Sequence, residues 1–251
     1  MQQDFHGQER ISFWDNLTIT SSFYRDNGPY SIRHFLRPEK IISPPQGQTV
    51  LIKKIPLTRR GNRIWKRTCD IFCATLIIVL VLSWLIPLLA ILIKFDSKGP
   101  VFFLQKRQKK DGRVFTCLKF RTMQVSNLAD LLPSADNNRI TKFGRFLRVH
   151  HIDELPQFFN VITGDMSVIG PRPQMIHENI KYERLVNWYS LRHKIKPGIT
   201  GLAQVMGYSG STTNIDQMKS RVYLDLIYMK NWSLLLDIKI MLKTAKKLIG
   251  L

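Results

Sequence analysis

No charged residue occurs between positions 71 and 93. As one continuous helix this run would be roughly 35 Å long at about 1.5 Å per residue, enough for a hydrocarbon core of about 30 Å. Ser83-Trp84 and Pro87 interrupt it near the middle. A proline there removes a backbone hydrogen bond and crowds the preceding turn, which predicts a break between Ser83 and Pro87. Residues 101–105 and 114–121 are rich in β-branched and aromatic side chains and flank a turn with Asp111-Gly112, predicting a β-hairpin. From Thr141 onward the pattern is mainly helical, interrupted by the loops at 169–173 and 196–201. Residues 232–251 set Leu234, Leu235, Ile238, Met241, Leu242 and Ile249 against Lys239, Lys243, Lys246 and Lys247. That is an amphipathic helix suited either to a membrane interface or to packing on the domain. Before position 60 no period is sustained.

These patterns describe an α/β membrane-associated chain. Residues 1–60 read as a loosely ordered tail, 61–98 as a basic flank and membrane helix, and 99–251 as a small hairpin with a mainly helical catalytic domain. The first residues lack the basic and apolar regions of a cleavable signal peptide.

Charge sharpens the picture. Lys and Arg number 38 against 18 Asp and Glu, a formal net charge of +20. Nucleic acid, anionic lipid and phosphate-rich substrates all suit that balance. The cations gather at both flanks of the apolar run: Lys53, Lys54, Arg59, Arg60, Arg63, Lys66 and Arg67 before it, Lys94, Lys98, Lys106, Arg107, Lys109, Lys110 and Arg113 after it. Under the positive-inside rule both ends belong in the cytoplasm. A helix that enters one leaflet, bends and returns satisfies both flanks; a spanning helix satisfies one, and on residues alone both readings stand. Cys69, Cys73 and Cys117 form neither a metal-ligand array nor a disulfide framework, which fits a reducing compartment.

Candidate chemistry centres on Asp153-Glu154-Leu155-Pro156, two carboxylates at a helix start. On the residues alone Asp153 reads first as an N-cap; the functional reading makes one acid a nucleophile and the other a magnesium ligand. Lys119 and Arg121 share a strand face by period two, and Lys142, Arg145 and Arg148 lie just upstream of the acids. Such cations form either a solvated basic face or the counter-charge of a diphosphate. Arg172 sits between Pro171 and Pro173, whose restricted backbone suits either a rigid turn or an aimed guanidinium. Gly198 and Gly201 permit either a tight turn or a close phosphate approach.

Taken in order, these motifs resemble the bacterial sugar transferase family, the monotopic polyprenyl phosphate phosphoglycosyl transferases. The resemblance covers about Lys66 to Leu251. It rests on Lys66-Arg67 with Asp70, Gly99-Pro100-Val101-Phe102-Phe103, Lys119-Phe120-Arg121-Thr122-Met123, Asp153-Glu154-Leu155-Pro156-Gln157, Gly164-Asp165-Met166-Ser167-Val168-Ile169-Gly170-Pro171-Arg172-Pro173, and Arg192-His193-Lys194 with Pro197-Gly198-Ile199-Thr200-Gly201. It implies a re-entrant membrane helix at the inner membrane and a catalytic domain on the cytoplasmic face. It also implies Mg2+-dependent transfer of a sugar phosphate from a UDP-sugar to polyprenyl phosphate, releasing UMP, at the start of glycan assembly. Asp153 matches the nucleophile and Glu154 its acidic, metal-binding neighbour, while Lys119, Arg148, Pro171, Arg172 and Pro173 match substrate-binding positions. This reading includes no nucleic acid and leaves a homodimer open. Its rival is a membrane-anchored basic binding or scaffold protein, which leaves the acid pair and the Pro-Arg-Pro loop unexplained.

Overall fold

The computed structural model describes residues 55–125, 139–186, 188–210 and 214–249. Most of the segment read as a tail lies outside them. Its last residues, 55–60, do not behave as a tail: Ile55 and Leu57 are buried in the main core, around a short 3-10 turn at Pro56–Thr58.

The apolar run forms α1 (Arg60–Ile77), a π-helical turn (Ile78–Leu82) and α2 (Ser83–Asp96). Together they make a 37-residue helix, the one among the described residues long and apolar enough to cross a membrane. The irregular turn falls one turn earlier than the sequence predicts, at Ile78–Leu82 rather than from Ser83 to Pro87. The shift has a physical reason. Pro87 cannot donate to the preceding turn, and unwinding upstream of it releases carbonyls that nearby side chains can satisfy. Ser83 Oγ donates to the Val79 oxygen at 2.6 Å and Trp84 Nε1 to the Leu80 oxygen at 2.9 Å. Carbonyls freed in an apolar setting thereby keep partners. Val79, Leu80 and Trp84 expose more than half of their surface along this middle stretch.

Both ends of the long helix are fastened to the same domain. At its start, Lys66 pairs with Asp237 at 2.9 Å, and Asp70 accepts from Ser167 Oγ at 2.9 Å and the Val168 amide at 3.0 Å. Arg67 covers the Val161 and Ile162 carbonyls at 2.5 and 2.8 Å. At the far end Arg121 caps the Ile93, Ser97 and Lys98 carbonyls at 3.2, 2.6 and 2.6 Å. Leu89 and Ile93 pack there against Phe120 and Leu147 in a second core.

The hairpin expected from the alternating pattern is present. β1 (Phe102–Gln108) runs antiparallel to β2 (Val114–Phe120), with Phe102 opposite Phe120 and Gln108 opposite Val114. Asp111 and Gly112 take positive φ in its turn, as short hairpin turns require. The rest is mainly helical: α3 (Lys142–Val149), a 3-10 turn at Ile152–Glu154, α4 (Gln157–Thr163), α5 (Ile176–Leu185), a 3-10 segment at Tyr189–Lys194, α6 (Leu202–Val205), α7 (Ile215–Asn231) and α8 (Leu234–Ile249). β3 (Ser167–Ile169) and β4 (Gly198–Thr200) form a short parallel pair that bridges the two loops singled out in the sequence. The main core runs between these elements, from Val161 and Met166 to Tyr228, Leu236 and Ile240. α8 buries Leu236, Asp237 and Ile240 while exposing Leu235 and Leu242, so one face packs on the domain and another stays apolar and open.

Candidate active site

The site is assembled from β2, the Ile152–Glu154 turn and the loop after β3. Lys119 projects from β2, whose place is fixed by Asn160 of α4: its Oδ1 accepts the Leu118 amide at 2.9 Å and its Nδ2 donates to the Thr116 oxygen at 2.8 Å. α3 starts with Thr141 Oγ1 accepting the Gly144 amide at 2.9 Å, an N-cap. Gly144 lies so close to the Thr122 carbonyl that a β-carbon would collide with it. α3 is thereby pressed on the end of β2, and Arg148 Nε reaches Thr122 Oγ1 at 2.8 Å. Left-handed backbone at His151, with φ of 55°, turns the chain into Ile152–Glu154.

The two adjacent acids have opposite surroundings, although both are buried, at 9% and 8% exposure. Glu154 is gripped by cations: Lys119 Nζ reaches Oε1 at 2.7 Å, and Arg172 forks Oε1 and Oε2 at 2.6 and 2.8 Å. Against the cost of burial, the charges of Arg172 and Lys119 hold its carboxyl well below the usual range. Asp153 makes no hydrogen bond or ion pair with a described residue. Burial, and then the charge of Glu154, raise its carboxyl from 3.8 to about 6, opposed by Lys119, Arg148 and Arg172. Nor is Asp153 an N-cap: it lies inside the 3-10 turn, and no side chain caps that turn or α4. The two neighbouring carboxylates thus differ in what holds them, cations on Glu154 and no described partner on Asp153, a contrast of the kind found at functional sites.

Arg172 is aimed by its backbone. Prolines on both sides leave the loop few amides, so it is tethered through carbonyls. The Pro171, Arg172 and Pro173 oxygens accept from the Gly198 amide at 2.9 Å, Arg192 Nη2 at 2.9 Å and Arg107 Nη1 at 2.8 Å. Arg192, 1% exposed, is held by Asp225 at 2.8 Å and by the Tyr189 hydroxyl at 3.2 Å. Gly198 and Gly201 serve this packing too. A β-carbon at either would collide with the Gly170 backbone, so these glycines seat the loop.

Lys119, Glu154 and Arg172 are therefore together, with Arg148 near enough to Asp153 to lower its carboxyl. Pro171 and Pro173 frame Arg172; both line one cleft beside it and Pro173 also lines a second. Arg121 is elsewhere, capping carbonyls at the end of the long apolar helix, and Lys142 and Arg145 are exposed. Sequence reasoning passed over Arg107 as one more flanking cation and gave Gln157, Arg192 and Asp225 no role. Arg107, Arg192 and Asp225 join the site through partners 20 or more positions away, which local pattern does not reveal.

The expected metal role of Glu154 meets a constraint: three N–H contacts already occupy its two oxygens. Among the described residues no group of three His, Cys, Asp or Glu side chains is placed to hold a metal. Magnesium is commonly held by one or two carboxylates plus substrate phosphates, and the open carboxylate here is that of Asp153.

Fold and site define a class: a helical domain that carries a membrane-length helix and a buried acid pair framed by cations. The signature described as bacterial sugar transferase matches residues 61–250. The chain belongs to that family. It is 46% identical over 188 residues to a UDP-glucose:undecaprenyl-phosphate glucose-1-phosphate transferase of Klebsiella pneumoniae, covering 74% of this chain and 40% of the relative. It is 47% identical over 178 residues to the enzyme of the same name from Xanthomonas campestris pv. campestris, covering 68% and 37%. It is 42% identical over 186 residues to a UDP-N-acetylgalactosamine-undecaprenyl-phosphate N-acetylgalactosaminephosphotransferase of Aeromonas hydrophila, covering 73% and 43%. The matched part is thus less than half of each of these relatives.

Proposed function

We propose that this protein transfers a sugar phosphate from a UDP-sugar to undecaprenyl (polyprenyl) phosphate and releases UMP. The reading is carried by the contrast between Asp153, free and poised near neutrality, and Glu154, pinned by Lys119 and Arg172. In the first step an Asp153 oxygen attacks the sugar-bearing phosphorus, the bond to the bridging oxygen breaks, and UMP leaves with that bond's electron pair. In the second an oxygen of polyprenyl phosphate attacks the same phosphorus and Asp153 departs as carboxylate. The chain's work is positioning and charge stabilisation, with Arg148 beside Asp153 facing the oxygens on which charge accumulates.

Magnesium, where the donor brings it, would be held by Asp153 and the diphosphate oxygens. It would supply further neutralisation of the diphosphate. A re-entrant membrane helix is supported by the fastening of both helix ends to one domain and by cationic flanks on both sides. The exposed apolar face of α8 suits a place in the membrane interface beside it. The lipid acceptor accounts for both features, and the proposed address is the cytoplasmic face of the inner membrane.

The test incubates detergent-solubilised protein with a UDP-sugar panel, polyprenyl phosphate and Mg2+, then identifies the released nucleotide. UMP is expected, together with an intact-mass phosphosugar adduct on Asp153 when the acceptor is omitted. UDP release would instead mean transfer of the sugar alone.

A further inference from the structure

Gln157, at the start of α4, is 2% exposed, yet its side-chain amide makes no hydrogen bond with a described residue. A side-chain amide without a protein partner depends on water or a ligand for its hydrogen bonds. It lines a narrow cleft with Arg107, Cys117, Lys119, Glu154, Arg172 and Pro173, wide enough for one water-sized group. Each of the cleft's cations already has a partner: Lys119 and Arg172 hold Glu154, and Arg107 holds Gln105 and the Pro173 carbonyl. Glu154 Oε1 accepts two contacts and Oε2 one, which leaves Oε2 a lone pair.

Those features select a ligand group. A phosphate oxygen would face the spare lone pair of Glu154 with lone pairs of its own. A hydroxyl is small and both accepts and donates. We infer that the cleft between Glu154 and Gln157 takes one hydroxyl of the donor's sugar, which accepts from the Gln157 amide and donates to Glu154 Oε2. Gln157 would then be a specificity-determining residue. It reads the sugar while Arg148 and Asp153 face the phosphate. The inference rests on the function proposed above and extends it to the part of the donor that distinguishes one UDP-sugar from another. A site that hydrogen-bonds a hydroxyl discriminates strongly against ligands lacking it, because its own polar groups are then left unpaired.

The experiment compares wild type with Gln157→Met, of similar length but without the amide, in binding to UDP and to whichever of UDP-glucose and UDP-N-acetylgalactosamine the wild type turns over. Binding of the UDP-sugar is expected to weaken about tenfold, the equivalent of one net hydrogen bond. Binding of UDP should be unchanged, and the melting temperature of the unliganded protein should not fall. Equal weakening toward UDP and the UDP-sugar would overturn the inference in favour of a nucleotide contact. No weakening toward either would leave the cleft to a structural water and overturn it as well. A lowered melting temperature with intact UDP-sugar binding would assign Gln157 to the fold instead. If Gln157→Met does not fold, Gln157→Leu, which also lacks the amide and adds no charge, gives the same comparison. Wild type that binds a UDP-sugar but no more tightly than UDP also excludes the sugar contact. Wild type that neither binds a UDP-sugar nor releases UMP would refute the proposed function itself.

Discussion

Arg172 holds both oxygens of Glu154, at 2.8 and 2.6 Å, and so separates the chemistry of two neighbouring carboxylates. Burial notwithstanding, Arg172 and Lys119 hold the Glu154 carboxyl well below the usual range. Asp153, one residue earlier, keeps its oxygens free and titrates near neutrality. The guanidinium of Arg172, whose own carbonyl is held by Arg192, together with Lys119 thus sets the two acids apart.

Asp153→Asn is expected to abolish turnover and to stabilise the fold at pH 7. The folded carboxyl is raised from 3.8 to about 6, so the folded state favours the neutral form. Wild-type stability therefore falls as pH rises through this window. About two pH units correspond to at most about 3 kcal/mol. Thermal melts at pH 7 should favour Asn, with the advantage vanishing below about pH 4. A less stable variant at pH 7 would contradict the assignment of the raised carboxyl.

The same titration sets the first half-reaction. Formation of the phosphosugar adduct should rise with pH through about 6 as Asp153 ionises, then level off. Rapid-quench mass spectrometry across pH 5–8 reads this limb directly, and a rate independent of pH in that range would exclude Asp153 as the group that must ionise.

Glu154→Gln leaves Arg172 and Lys119 buried without their counter-charge, a change of the kind that costs about 3–5 kcal/mol. Because the Glu154 carboxyl is held below its ordinary 4.5, its stabilisation is complete above that value and is lost as pH falls through the lower folded one. Denaturant titrations should show a constant gap between the two proteins above about pH 5 and a shrinking one in more acid solution.

Asp225→Asn removes the counter-charge of Arg192, which holds the Arg172 carbonyl. Stability should fall by about 3–5 kcal/mol, and turnover should drop even at temperatures where the variant is fully folded. Unchanged turnover in the folded variant would show that the Pro-Arg-Pro loop keeps its aim without this support.

Cysteines introduced at positions 60 and 98 of a cysteine-free variant test the course of the membrane helix. A re-entrant helix makes both sites reactive to a membrane-impermeant reagent from the same side. Opposite accessibility would establish a spanning helix and would require the contacts of Lys66 or Arg121 to be broken in the membrane.

Much of this was legible from local pattern, because local pattern has local causes. The apolar run from 71 to 93, the hairpin around Asp111-Gly112 and the acids near a helix start follow from periodicity, turn chemistry and charge. Each requires only residues a few positions apart. The place of the π-helical turn was not legible, since it depends on which side chains can reach the freed carbonyls. Nor was the division of labour between Asp153 and Glu154, alike in composition and adjacent in sequence. It arises from Lys119, 35 positions before Glu154, and Arg172, 18 after it. Likewise Arg121, one strand step beyond Lys119, went to the end of the long apolar helix, and Gly198 and Gly201 went to backbone packing. Sequence by itself determined the membrane-length helix, the cationic balance and the reactive residue types. Tertiary structure alone decided which charges meet, because electrostatic and hydrogen-bond strength depends on distance and burial, and only folding sets either.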